Sequence, residues 1–451
     1  MMRSLYSGVA GLKTHQTRMD VIGNNIANVN TTAYKSQSMT FSDLMYQTTQ
    51  AASGANPTTG VGGTNARQIG LGAKTSAIKT AITTQGASQT TNDPFDIMIT
   101  GDSFFIVNNG QNNYFTRDGS FYVDGAGNLA MTSTGYNVMG WQVDPNDASA
   151  IKQDTVSALR VMTTENMTYP PEATKSARIS GIIDKNDTNV NATAGKIMNL
   201  EFYDNQGYKY TAKLSVHSTK TDGQFTVKLD DILDSKGKTV LADPTKASLQ
   251  QNNADVKDPV LEFDLKNGSF KNVGTAGGTE STLTLHFDTG TFPSFTDITI
   301  DFSKCSNLNN NGSSTVSPIR GDAKGNGAGR KVGEMSGIEI QKDGMIYANY
   351  DNGCSRLLGQ IAVATFANAS GLAKEGDNLY SATQNSGDFD GIGTDITTGG
   401  GYMNTGVLEM SNVDLSSEFT EMITTQRGFQ ANSRIITVSD TLLEELTNLK
   451  R

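Results

Sequence analysis

The chain has 451 residues, with 46 acidic against 36 basic side chains and a formal net charge of −10. That length fits roughly two to four domains, and an acidic balance without a basic run excludes nucleic acid as the main partner. Two cysteines (Cys305, Cys354) outside any C-x-x-C pair exclude a disulfide framework, and three scattered histidines (His15, His217, His286) exclude a structural zinc site.

At the N-terminus apolar residues recur every seven: Leu5, Leu12, Met19, Ile26 and Ala33, with Val9, Ile22 and Val29 on the same side. Such recurrence over four or five heptads marks a long helix of coiled-coil type. Within it, Gly23–Asn28 is rich in poor helix formers. Asn24 and Asn28 share a face at i, i+4, and with Asn25 they make a polar patch. The patch reads equally well as a subunit contact or as a solvent-facing stripe. Residues 47–75 are rich in Gly, Thr, Ser and Asn and nearly uncharged. This is the composition of an extended or disordered linker.

From about residue 76 the period becomes two. Phe95–Ile99 and Ser103–Val107 flank Thr100-Gly101-Asp102 and read as a hairpin. A meander follows, with Asp118-Gly119 and Asp124-Gly125 as positive-φ turns. Residues 335–380 look alike: Arg117-Asp-Gly-Ser-Phe-Tyr122 matches Lys342-Asp-Gly-Met-Ile-Tyr347. Between them lies a more polar β-patterned insert. Its candidate strands are 177–183, 197–203, 208–216, 225–229, 260–265, 283–287 and 298–302, at the spacing of β-sandwich or barrel units. At the C-terminus the seven-residue stripe returns as Leu408, Leu415, Met422, Phe429, Ile436 and Leu443, widened by Phe419, Ile423, Ile435, Leu442, Leu446 and Leu449. Ser411–Asp414 is a candidate capping box. Neither stripe can bury itself alone, so each needs the other end or a neighbouring chain.

The expected fold class is therefore multidomain α+β, with long N- and C-terminal coiled-coil helices and nested all-β domains. The expected divisions are an N-terminal helix (1–46), an extended linker (47–75), a middle β domain (76–150 plus 321–404), an outer β domain (151–320) and a C-terminal helix (405–451). Candidate chemistry is sparse. There is no phosphate-binding loop, no G-x-S-x-G and no H-E-x-x-H. Asp184–Asp187 and Asp124–Asn128 read as turns rather than calcium loops. The chain is expected to be no enzyme and to need no catalytic residue, metal or cofactor. No run is long and apolar enough to span a membrane. The N-terminus lacks the apolar core of a cleavable signal, so a cytosolic chain is expected, or one exported by another route.

Both ends also carry a family resemblance. Ser4–Leu12, Met19–Asn28 and Ala33-Tyr-Lys35 resemble the N-terminal signature of the bacterial flagellar axial proteins of rod and hook. Gly406–Leu415, Met422-Ile and Gln426-Arg427 are similar to the C-terminal one. The likeness continues inward through Phe95–Val107, Phe115–Phe121, Leu358–Ile361, Phe366–Leu372 and Asp377–Ala382, in all roughly 250 residues. The chain length, with its large outer domain, fits a hook subunit best; a distal rod subunit is the alternative. The resemblance implies a helical homopolymer: terminal helices around a central export channel, nested β domains radiating outward, and a tube that bends as a universal joint. It also implies a location in the flagellar hook outside the cell and export without a cleaved signal. Rod, hook-cap and hook-filament junction proteins and the export apparatus would be its partners.

Overall fold

A computed structural model describes residues 2–449 except 55–59, 61, 146, 242–245, 253 and 276. The chain is mostly β, with one long helix at each end. It divides into two compact units. The first is Met1–Thr163, Ile338–Ala348 and Arg356–Arg451; the second is Thr164–Gly337 and Asn349–Ser355. The second unit begins later and ends later than the expected 151–320. The reason lies in pairing: Asp147–Ile151 and Ser157–Ala158 both hydrogen-bond back onto Asn137–Asp144 of the first unit.

In the first unit, α1 is Met2–Ala27 and α2 is Leu415–Asn448. The N-terminal helix stops earlier than its apolar period suggests. Asn28 turns its amide back onto Asn24, and its Oδ1 accepts from the Thr31 hydroxyl. These side-chain bonds compete with the helical ladder. Val29 and Ala33, expected on the stripe, therefore lie off the helix. At the other end, Leu408 lies in the strand Val407–Glu409, and α2 begins only at Leu415. The cap is Asp414 alone, whose carboxylate accepts from the amides of Ser416 and Ser417.

The segment expected as a linker is built of hairpins where it is described. Gln37–Asp43 pairs antiparallel with Ala73–Thr80, and Tyr46–Gln50 pairs with Arg67–Gly70. Part of that segment, 55–59 and 61, lies outside the described residues. The hairpin expected across Thr100-Gly101-Asp102 does not form either. Ile97–Ile99 pairs instead with Met403–Thr405, while Phe104–Asn108 pairs with Asn113–Thr116, Asn137–Asp144 and Val363–Ala364. The two ends of the chain thus compete successfully with a local turn. Gly119 and Gly125 are not positive-φ residues. Gly119 is needed for another reason: a side chain there would collide with the carbonyl of Ile97.

The core of this unit gathers Phe104, Ile106, Phe115, Trp141, Ala362 and Tyr380. The Trp141 indole donates to the carbonyls of Asp154 and Ile392, so its one polar atom is satisfied at full burial.

The second unit is a β-sandwich. One sheet runs in the order Ala254–Asp255, Ala247–Gln251, Thr282–Phe287, Ile298–Asn307, Ser176–Ile183, Ser317–Arg320. The other holds Lys196–Tyr203, Lys209–Ser218, Gln224–Asp234, Val260–Phe263 and Phe270–Gly274. Their inner faces share one core, with Phe202, Phe225, Phe287, Phe302 and Leu261 buried in it. Cys305 is buried there too, and burial pushes its thiol up to about 12, which keeps it protonated and inert. The carboxylates expected at turns are indeed spent on the backbone. Asp184 accepts from the amides of Asn186, Asn310 and Gly312, and Asp124 in the first unit from those of Ala126 and Asn128.

Candidate assembly site at the chain ends

The two terminal helices lie antiparallel against each other. Ser4 meets Ser439, Gly11 meets Asn432, Arg18 bonds Glu421 at 2.9 Å, and Asn25 bonds Glu418 at 2.8 Å. Small and polar residues are prominent in the seam, with Ile435 and Ile436 beside Gly8. Gly8, Thr14, Val21, Ile22 and Asn25 of α1 and Thr425 and Ser439 of α2 are buried. At Gly11 and Gly428 the opposing helix comes so near that a Cβ would sit 2.7 Å from the Asn432 amide and from the His15 ring, respectively. Glycine here allows close approach of the helices rather than an unusual backbone.

The seven-residue stripes are distributed unevenly about this seam. On α1, Ile22 is buried, Leu5, Leu12, Met19 and Ile26 are half-buried, and Val9 is exposed; Val29, beyond the helix, is half-buried. On α2, Met422, Ile436 and Leu443 are half-buried, whereas Leu415, Phe419, Phe429 and Leu446 are exposed. Ile423, Val438 and Leu442 join them, with Ile423 58% and Phe419 50% exposed. An exposed apolar row this long on a surface helix is left open by the described residues. Tyr6 on α1, and Leu44, Met45 and Tyr46 at the hairpins, add to the exposed apolar surface.

The asparagines divide. Asn24 is exposed and Asn28 half-buried, and they bond to each other. Asn25, expected beside them on a polar face, is instead fully buried. Its amide donates to the Gln37 carbonyl and accepts from the Gln37 N–H, so it pairs with the first residue of the strand as a neighbouring strand would. It also holds Glu418, whose carboxyl is raised above the ordinary range by burial and lowered in part by that bond.

A second feature went unremarked in the sequence, although its residues stand inside the terminal signatures. Lys35 and Glu409, both buried, form an ion pair at 2.7 Å. The same Glu409 oxygen accepts from the Gly86 amide, and Lys35 also donates to the Thr84 carbonyl. Arg117 enters from the β core, 3.9 Å from the other Glu409 oxygen, and stacks over Phe104. Asn412 completes the node. Its Oδ1 accepts from the Ser36 amide, and its Nδ2 donates to the carbonyls of Ala81 and Thr84. Burial pushes both Lys35 and Arg117 below their usual values, and Glu409 holds them back. Ala33 adopts a left-handed backbone, φ 54°, with its amide fixed on the Glu409 carbonyl. Such strain in a residue with a side chain persists only where its surroundings over-determine it. Segments 33–36, 81–87 and 409–412 are thus tied together where the chain leaves α1, leaves the hairpin and approaches α2. The signal available in the sequence was a lysine and a glutamate lodged among apolar and small residues in both signatures; no periodicity marks them as partners.

Three family models match the chain. They are "Flagella basal body rod protein" over residues 5–35, "Flagellar hook protein FlgE/F/G D1 domain" over 98–180 and "Flagellar basal body rod FlgEFG protein C-terminal" over 404–449. Over the whole of both chains, this one is 37% identical to the flagellar hook protein FlgE of Borreliella burgdorferi and 34% identical to that of Treponema pallidum. The chain belongs to the flagellar hook protein family. It is a structural subunit of the bacterial flagellar hook, and the family implies that it assembles with copies of itself. The flagellar basal-body rod protein FlgG of Bacillus subtilis is also similar, at 30% identity over all of both chains. The N- and C-terminal family models fall on the helix pair and the buried node. Among the described residues no group of His, Cys, Asp or Glu is placed to hold a metal, and no helix is long and apolar enough to cross a membrane.

Proposed function

We propose that this hook subunit polymerises through its terminal helices into a curved tube with a central channel. It would serve there as the flexible joint that carries motor torque from rod to filament. The observation that carries this reading is the uncovered apolar row on α2: Leu415, Phe419, Ile423, Phe429, Ile435, Val438, Leu442 and Leu446 are all exposed. At about 25 cal/mol per Å² of apolar area covered, helices of neighbouring copies would gain several kcal/mol from packing on it. The coiled-coil arrangement and the stripe residues Leu5, Val9, Leu12, Met19, Ile22, Ile26, Met422, Ile436 and Leu443 belong to this proposal. So does the role of Asn24 and Asn28 as a polar face toward the channel or a neighbour.

The nested order of domains along the chain, with the second unit inserted in the first, fits the same tube. Rod, hook-cap and hook-filament junction proteins would meet its two ends. Export unfolded through the channel, without a cleaved signal, suits a chain with no disulfide framework and places the polymer outside the cell. The deciding experiment is deletion of residues 413–451. The remaining chain should fold as a monomer and form no tubes; normal polymerisation of that truncation would overturn the reading. The likeness to a rod protein supports a second reading, a rod subunit. Electron micrographs of the polymer separate the two, because hook polymers curve and rods are straight.

A further inference from the structure

His15 lies in the seam of the terminal helices, and neither the ion-pair node nor the apolar row involves it. Its ring meets Phe41 of the strand Gln37–Asp43 edge-on, centroids 5.5 Å apart. Across the seam it faces Gly428 of α2, where a Cβ would lie 2.7 Å from Cε1 and 2.8 Å from Nε2. Its Nδ1 is buried and has no hydrogen-bond partner. One turn further along α1, Arg18 stacks over the same Phe41 ring, 5.3 Å from its centroid, and pairs with Glu421 of α2.

We infer that His15 is a proton-sensitive latch on the terminal helix pair: the neutral ring keeps the seam closed, and protonation loosens it. A second proton on the imidazole would make Nδ1 a buried donor without an acceptor, and would set a cation beside Arg18. The ring has little room to turn away, with Phe41 on one side and the Gly428 backbone on the other. The charged groups on the packed elements offer no relief. Glu421 of α2 is engaged by Arg18, Arg427 is a cation, and Asp43 and Lys74 sit near the ends of their two paired strands; none forms an ion pair with His15. Burial first and Arg18 second hold the ring below the ordinary histidine range.

The sign follows from proton linkage. A histidine with a depressed folded-state pKa contributes stability that is fully present above the unfolded value, about 6.5. That contribution is lost as the pH falls through this value toward the folded pKa, because there the unfolded state binds more protons. Neutral His15 fits the closed seam better than the cation does, so acidification should act on α1 and α2 before the sandwich of the second unit.

The test uses the full-length chain with ring-labelled histidine, followed by NMR from about pH 7.5 to about pH 5. Amide exchange is read across residues 8–22 and 421–436 at the two ends of that range. His15 should titrate below the ordinary histidine value, and exchange in both segments should quicken several-fold in acid. In His15→Phe, which keeps a ring against Phe41 but cannot titrate, that quickening should vanish. A His15 midpoint at or above the ordinary value would overturn the inference. So would an equal acid effect in His15→Phe. If that variant does not fold, the wild-type midpoint alone decides.

Discussion

The terminal helix pair and the sandwich of the second unit solve the burial problem in opposite ways. In the sandwich the large side chains face inward: Phe202, Phe225, Phe287 and Phe302 are almost wholly buried, with aromatic rings packed edge-on and stacked around Phe202, Phe287, Phe292 and Phe295. In the helix pair the buried positions are mostly small or polar, and large side chains such as Phe419, Ile423 and Leu446 are exposed. A fold complete in itself buries its apolar residues. A chain that polymerises through its ends, as proposed above, would keep its best packing surface free.

That contrast can be broken experimentally, and the largest effect is expected from truncation. Without residues 413–451 polymerisation should be lost altogether, while denaturation of the second unit, followed by the fluorescence of its aromatic residues, stays where it was. Next come single side chains inside closed environments. Glu409→Ala strands Lys35 and Arg117 without their shared carboxylate and should cost about 3–5 kcal/mol in urea unfolding of the first unit. The double variant Lys35→Met, Glu409→Met should recover only part of that, because it removes the Lys35 charge but leaves Arg117 buried without its carboxylate. Phe202→Ala in the sandwich should cost a similar ~3–5 kcal/mol, in the transition of the second unit.

Smaller effects on the monomer sharpen the comparison further. Phe419→Ser with Ile423→Ser should change monomer stability by less than about 0.5 kcal/mol per site, as exposed positions do. The same pair should abolish or greatly weaken sedimentable polymer. A large loss of monomer stability would mean that these residues are covered within the chain after all. Asp414→Ala, which removes the capping carboxylate of α2, should cost about 1 kcal/mol, seen as a lower helical signal at a given temperature.

Much of the β architecture was legible because period two survives wherever one face of a strand is buried. The strands expected at 177–183, 197–203 and 283–287 lie within one residue of those observed. Strands such as Ser317–Arg320 and Ala254–Asp255 were missed, being short and polar with little alternation to read. The pairing of Ile97–Ile99 with Met403–Thr405 was beyond reach. A Gly-containing turn between two apolar runs favours a hairpin locally, and nothing in the sequence announces a partner some three hundred residues away.

At the ends the sequence determined that there are two long helices and that they are too apolar to stand alone. It determined this because heptad spacing is a property of the chain itself. Only the tertiary structure decided which side of each helix faces the other. Tight contacts at Gly8, Gly11 and Gly428 draw the helices together along a seam of small residues, and that turns much of the heptad stripe of α2 outward. Likewise, Lys35 and Glu409 are legible as charges, but their meeting is a matter of chain path. Once both lie in a dry interior, desolvation leaves each charge no tolerable place but beside the other.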